Sequence, residues 1–289
     1  MILFLLACTE PTYYIPPKPG NPADAPTEDS EEALSQLEMS WTPLDPHSPL
    51  ALIQGGTATL GCTEGQIDCT DWEVMYTVTL TNDFWLGKTE VTEAFWSEVT
   101  GEPLGDCPDC PVSGMSWHIA VDFLNTLSRL EGLEECYGCE YFEDTGAFCY
   151  EIMNPYSCGG YRLPTEAEWE FGARCGEDLT FAGSTDMDEV AWVMENSGEQ
   201  MPVAQLKPNA CGLYDMSGNM WEWGHDWYVE ERESSYEDPY GPPGGTERIA
   251  RGGAYDFLGL LARISFRDRC RRPEMDFPNQ SFRLARTAR

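Results

Sequence analysis

Positive charge is what this chain has least of: 17 Lys+Arg stand against 50 Asp+Glu over 289 residues, a formal net charge of −33. So acidic a surface repels a phosphate backbone and favours solubility, also in salty media, which excludes nucleic acid as a partner. Histidine is scarce too, with His47, His118 and His225 far apart in sequence. No Gly-x-Ser-x-Gly elbow and no activated Ser–His or Cys–His arrangement is visible, so a hydrolase reading has no support. There is no repeat and no sustained heptad. The wholly apolar opening, Met1 to Cys8, is too short to span a bilayer.

What is present divides the chain in three. Residues 1–8 end in Leu5-Leu6-Ala7-Cys8, which resembles a bacterial lipobox, so Cys8 is the expected lipidation site. A basic n-region and a longer apolar core are missing, as a start codon placed too far downstream would explain. Residues 9–50 turn to Pro, Ser and acidic residues, with Ile15-Pro16-Pro17-Lys18-Pro19-Gly20 and Glu28-Asp29-Ser30-Glu31-Glu32. Such a stretch buries too little apolar surface to offset its ordering entropy and reads as an extended tether. The expected location is the bacterial cell envelope, with membrane contact through the N-terminal lipid alone. Residues 51–289 form the folded part, where 12% aromatics and 10 Trp imply a sizeable core.

Within it, Val74 to Leu80 is rich in β-branched and aromatic residues and ends at Asn82-Asp83, a strand and turn. Thr92 caps a short helix with Ala94, Phe95 and Val99 on its apolar side. Ser116 starts a second, in which Ile119, Phe123, Leu127 and Leu130 recur at helical spacing up to Gly132. His118 and Asp122, one turn apart on it, read as a solvated face. Thr165-Glu166-Ala167-Glu168 has capping-box spacing after Pro164, and that helix ends at Gly176. Little regular structure is expected from there to Ala210.

The 12 cysteines admit two readings. Cys107-x-x-Cys110 and Cys136-x-x-Cys139 have zinc-knuckle spacing, but they lie farther apart than in a usual ribbon. An exported chain meets an oxidising compartment, where loop-stapling disulfides are the default. Cys62 with Cys69, and two bridges among Cys136, Cys139, Cys149 and Cys158, are the candidates, their connectivity open. With Cys8 lipidated, an odd number remains and at least one cysteine is unpaired.

The stretch from Asn209 to Tyr228 mixes buried-type aromatics with Asp215, Ser217, Asn219, Glu222 and Asp226 at spacings that suit neither a clean helix nor a clean strand. It is either a buried turn with Trp221, Trp223 and Trp227 as core, or an oxygen-rich wrap for a hard cation such as calcium. Gly212-Leu-Tyr-Asp-Met-Ser-Gly-Asn-Met-Trp-Glu-Trp223 resembles the signature of the formylglycine-generating enzyme family, also called sulfatase-modifying factors. Further matches follow in the same order: Gly55-Gly56-Thr57, Phe84 to Thr92, Pro111-Val112 with Ser116-Trp117, Gly160 to Glu170, Arg251-Gly252-Gly253 and Ser281-Phe282-Arg283. They run from about Leu52 to the C-terminus.

The resemblance implies a C-type-lectin-like α+β fold with short strands, few helices and much loop. It implies a structural calcium at Asp215, Gly218, Met220 and Glu222, the glycine and methionine giving backbone carbonyls. Catalytic members hold copper(I) on a cysteine pair shortly after Arg-Gly-Gly and oxidise a sulfatase cysteine to formylglycine; soft thiolates are the ligands copper(I) selects. Ala254 to Arg269 contains no cysteine, and Cys270 lies at a non-catalytic position, so copper is not expected. An iron-dependent branch needs histidines from an added helical domain, for which there is no room.

Most of the chain's cations fall from Arg248 onward. Arg251, Arg267 and Arg283 match framework positions and are expected to pair internally with carboxylates. Tyr255, Phe257, Arg263, Arg269 and Arg271, with Trp221, are expected to line a groove for an anionic ligand or an unidentified protein partner. The leading expectation is thus a lipid-anchored binding domain without catalysis. The alternatives are a sulfatase-modifying or other oxidoreductase using the same cleft, and a lectin-like binding protein diversified by a retroelement.

Overall fold

The computed structural model describes residues 49–142, 146–230 and 232–289. Cys8, and the tether up to residue 48, lie outside these. Three helices form where caps and periodicity place them. In α1 (Glu93–Thr100), Thr92 Oγ1 accepts from Phe95 N at 3.2 Å. In α2 (Trp117–Leu130), Ser116 Oγ accepts from Ile119 N at 3.3 Å. In α3 (Glu166–Arg174), Thr165 and Glu168 complete a capping box, each side chain satisfying an N–H that the first turn leaves over. Cys175 takes the left-handed cap that ends α3, Gly176 after it also has positive φ, and the disulfide to Cys211 ties the cap down.

The strands are short. β1 (Leu50–Ile53) and the C-terminal β13 (Ala285–Thr287) flank β4 (Phe84–Gly87), so the two ends of the described domain close one sheet. A second sheet runs β10 (Ser235–Glu237), β3 (Tyr76–Leu80), β2 (Gly56–Leu60); a third runs β11 (Arg248–Arg251), β9 (Trp221–Trp227), β12 (Gln280–Ser281). Two ribbons, β5 (Tyr137–Phe142) with β6 (Gly146–Glu151) and β7 (Ala191–Trp192) with β8 (Ser217–Gly218), complete an α+β fold with much loop. The expected strand at 74–80 starts at Tyr76, leaving Val74 and Met75 exposed.

β9 corrects the sequence reading. Its residues Trp221 to Asp226 are all buried, because β11 and β12 pair with its edges while α3 and the α2 core cover its faces. A strand buried on both sides shows no apolar–polar alternation, which is why periodicity missed it. His118 and Asp122 are not a solvated face either. His118 is buried, with Nδ1 3.0 Å from the Cys149 amide, and Asp122 accepts the Tyr141 hydroxyl at 2.6 Å. Burial and the nearby Arg248 hold the His118 imidazole down at about 4.

Disulfides join Cys62–Cys69, Cys107–Cys110, Cys136–Cys158, Cys139–Cys149 and Cys175–Cys211. The zinc reading falls, since both Cys-x-x-Cys pairs are spent on bridges. No cysteine among the described residues is free, so the unpaired one expected beside a lipidated Cys8 is not among them. Such a framework forms and persists in oxidising compartments, which makes the domain extracytoplasmic. No helix among the described residues is long and apolar enough to cross a membrane. Thiol titration of denatured, unreduced protein should leave the cysteines between Cys62 and Cys211 silent. Their full reactivity without reductant would contradict the framework.

Candidate functional site

Buried ion pairs fix the C-terminal half. Glu166 at the start of α3 takes Arg267 Nε at 2.6 Å, Arg251 Nη1 at 3.3 Å and Arg232. Burial alone would raise its pKa, but Arg232, Arg267 and Arg251 outweigh burial and hold the carboxyl below its usual range. One turn on, Glu170 takes Arg251 Nη2 at 2.6 Å and Arg174 Nη2 at 2.9 Å. Glu168 receives Arg162 on both oxygens, at 2.6 and 2.7 Å, and Glu222 receives Arg283 on both. The three framework arginines Arg251, Arg267 and Arg283 therefore pair internally, as their sequence positions imply.

So do two of the arginines expected in a groove. Arg263 is 1% exposed and forks onto Glu73, Nη1 and Nη2 each at 2.8 Å. Arg271 is buried between Asp268, at 2.6 Å, and Asn279, at 3.2 Å, beneath the rings of Trp221 and Phe277. Neither reaches solvent, because a guanidinium taken into the core needs its carboxylate close by. Trp221 is buried too, packed edge-on to Phe257 at 5.7 Å, and Tyr255 does not line the cleft. Of the three arginines expected in the groove only Arg269 reaches the cleft, beside the internally paired Arg267.

What opens is an apolar cleft of about 420 Å³, walled by residues 256–258, 260–261 and 266–270 after Arg-Gly-Gly. Phe257, Leu260 and Phe266 face Trp72 from the β2–β3 loop and Met194. Gly259 N bonds the Glu195 carboxylate at 3.1 and 3.0 Å, and Met194 N bonds Phe257 O at 3.0 Å, which pins the wall. Arg269 is exposed at the rim with its guanidinium 4.6 Å over the Trp72 ring. It pairs with no carboxylate among the described residues, whereas Asp268 is committed to Arg271, and Asp256 accepts from Asn279 Nδ2. Phe257 and Arg269 are the two expected lining residues that the structure does bring together.

The expected calcium ligands fall on the turn at residues 215–219 and the start of β9. Asp215, Gly218 and Asn219 all have positive φ, at 56°, 77° and 57°, and a Cβ on Gly218 would lie 2.3 Å from Trp192 O, so only glycine fits. Glu222, however, already carries Arg283 and Trp169 Nε1, the latter at 2.7 Å. Sequence reading gives no role to Glu90, which sits in the Phe84 to Thr92 match. It is 2% exposed, one oxygen accepts Asn219 Nδ2 at 3.1 Å, and the other has no partner. Burial, then Asp215 and Glu222, push its carboxyl well above the usual range, and burial lifts Asp215 to about 6. A partnerless buried oxygen among acids of raised pKa fits a hard cation held by oxygens.

Short strands closing an α3-centred salt-bridge core, with a loop-walled cleft after Arg-Gly-Gly, define a lectin-like domain of the sulfatase-modifying class. Residues 40–288 match the family described as Sulfatase-modifying factor enzyme 1-like domain, and the chain belongs to it. It is 32% identical over 215 residues to Chaperone protein LppX of Paenibacillus barcinonensis, covering 64% of this chain and 74% of that one. It is 28% identical over 221 residues to the formylglycine-generating enzyme of Thermomonospora curvata, covering 68% of this chain but 62% of the enzyme. Among solved structures, Treponema denticola variable protein 1 superimposes with a TM-score of 0.71 at 28% identity, over 83% of this chain and 95% of that one. PvdO from Pseudomonas aeruginosa, at TM-score 0.66 and 19% identity over 86% and 98%, shares the fold.

Proposed function

We propose that this domain is a non-catalytic binding module that holds an apolar segment of a partner polypeptide in the cleft walled by residues 256–258, 260–261 and 266–270. The observation that carries the reading is the cleft itself: its wall is the run where catalytic relatives need a thiolate pair, and Phe257, Leu260 and Phe266 stand there instead, facing Trp72. Its likeness to a protein named a chaperone and to one named a variable protein, both matched over most of their length, favours binding over conversion. Arg269 supplies one cation at the rim for an acidic group on the bound segment. Asp215, Glu90 and the Gly218 and Met220 carbonyls hold a structural calcium, with Glu222 adding charge from behind. A lipid on Cys8 anchors the domain to the cell envelope, with the tether as spacer.

The probe 1-anilinonaphthalene-8-sulfonate joins an apolar body to one anionic group, matching the cleft and Arg269. It should bind saturably to the native protein. Phe257→Asp should weaken binding at least tenfold and Arg269→Ala about threefold, while Arg129→Ala, at a surface pair with Glu135, changes nothing. Equal loss in all three variants would remove the cleft from consideration. Protein loaded with copper(I) should leave the cysteine of a Cys-x-Pro-x-Arg peptide untouched; aldehyde above a no-protein control would restore the sulfatase-modifying alternative.

A further inference from the structure

A second cavity, of about 640 Å³, opens beside the N-terminus of α3 and shares no lining residue with the apolar cleft. Its walls differ in kind. Tyr76, Tyr236 and Tyr240 supply aromatic faces, and Asp226, Glu233 and Glu237 supply carboxylates. Asp226 is 5% exposed: its Oδ2 accepts from Glu166 N at 2.7 Å, and its Oδ1 has no hydrogen bond among the described residues. Burial, then the Glu166 carboxylate, pushes its carboxyl up to about 7, outweighing the Glu166 amide and Arg232, which lower it. Glu233 and Glu237 are exposed at the mouth and form no ion pair among the described residues, the adjacent Arg232 being paired with Glu166.

The chain shows what such walls accept. Arg232 enters the cavity, lays its guanidinium 4.3 Å over the Tyr76 ring and pairs with Glu166. That occupies Tyr76 and Glu166, while Tyr240 and Asp226 line the same cavity with no ion pair to Asp226 among the described residues. A planar, weakly hydrated guanidinium stacks on tyrosine and forks onto a carboxylate at once, which a compact ammonium does less well. The whole-chain charge of −33 draws cations towards the mouth. The geometry points to a binding site for an arginine side chain of a partner polypeptide, seated between Tyr240 and Asp226 beside the chain's own Arg232.

The test titrates the full-length protein with N-acetyl-arginine amide and, as an uncharged isostere, N-acetyl-citrulline amide, followed by calorimetry. Arginine should bind at one saturable site and citrulline at least tenfold more weakly. Asp226→Asn keeps an acceptor for Glu166 N but removes the charge, and Tyr240→Leu removes one face at a residue that is 40% exposed; each should weaken arginine binding at least fivefold. Phe257→Asp should leave it unchanged, which separates this site from the apolar cleft. Absent saturation, equal binding of citrulline, or wild-type affinity in Tyr240→Leu would overturn the assignment, and the last decides alone should Asp226→Asn fail to fold.

Discussion

Arg263→Ala should strongly destabilise the domain rather than silence a surface. Glu73 is 1% exposed and receives both Arg263 nitrogens at 2.8 Å together with the Ser265 and Thr70 hydroxyls. Burial works against its charge, yet the Arg263 pair outweighs burial and holds the carboxyl below the usual range. Without the guanidinium an uncompensated carboxylate stays in the core, at a cost of about 3–5 kcal/mol. That is a large share of the roughly 5–15 kcal/mol by which a domain is stable. Urea denaturation should show it as a midpoint shift, with Arg269→Ala, at an exposed site, within about 0.5 kcal/mol of wild type.

The sign with pH follows from the depressed pKa. A carboxyl held below its unfolded value contributes stability that is present above the ordinary glutamate range and is lost as pH falls through the folded value. The gap between wild type and Arg263→Ala should therefore narrow on acidification. Removing both charges, Arg263→Met with Glu73→Leu, should recover much of the loss, since paired charges of this kind are often replaceable by apolar groups. Equal midpoints for wild type and Arg263→Ala at neutral pH would show that the pair is not buried in solution.

Sequence made the frame legible and misplaced the charges. Thr92, Ser116 and Thr165 each cap the helix they are expected to cap, because capping is a local matter of one side chain and the next turn. The cysteine candidates pair as expected, since Cys62 with Cys69 and the Cys136 to Cys158 group are close in sequence. The arginine assignment fails at Arg263 because its partner lies 190 residues away, at Glu73, on the β2–β3 loop. A concentration of cations in sequence says nothing about where the acids fold to. Glu90 was missed for a similar reason: 129 residues separate it from Asn219, whose amide reports its place. The apolar cleft was half legible, since Phe257 and Arg269 come from the expected run while Trp72 and Met194 come from loops that carry no motif.

Calcium removal should lower the melting temperature by about 5–10 °C, and Glu90→Gln should decide whether the acid cluster is the reason. A cation bound only by the native state at a hundred times its dissociation constant adds about 2.7 kcal/mol. For a domain of this size each kcal/mol moves the midpoint by about 2–4 °C. In chelator, Glu90 is a buried carboxyl with a partnerless oxygen facing Asp215 and Glu222, so making it neutral relieves repulsion and should leave stability unchanged or raised. In calcium the same change removes an oxygen charge that the ion uses, so the calcium-induced increment should shrink to less than half. Opposite signs in the two buffers cannot come from a packing defect, which would lower both midpoints alike. Asp215→Asn should reduce the increment in the same way, whereas Asp268→Asn, bound to Arg271 at the cleft wall, should keep it in full. An identical increment in wild type and Glu90→Gln would assign the ion to Asp215 and the turn carbonyls without Glu90, and no increment in either would leave the acids as an unoccupied cluster.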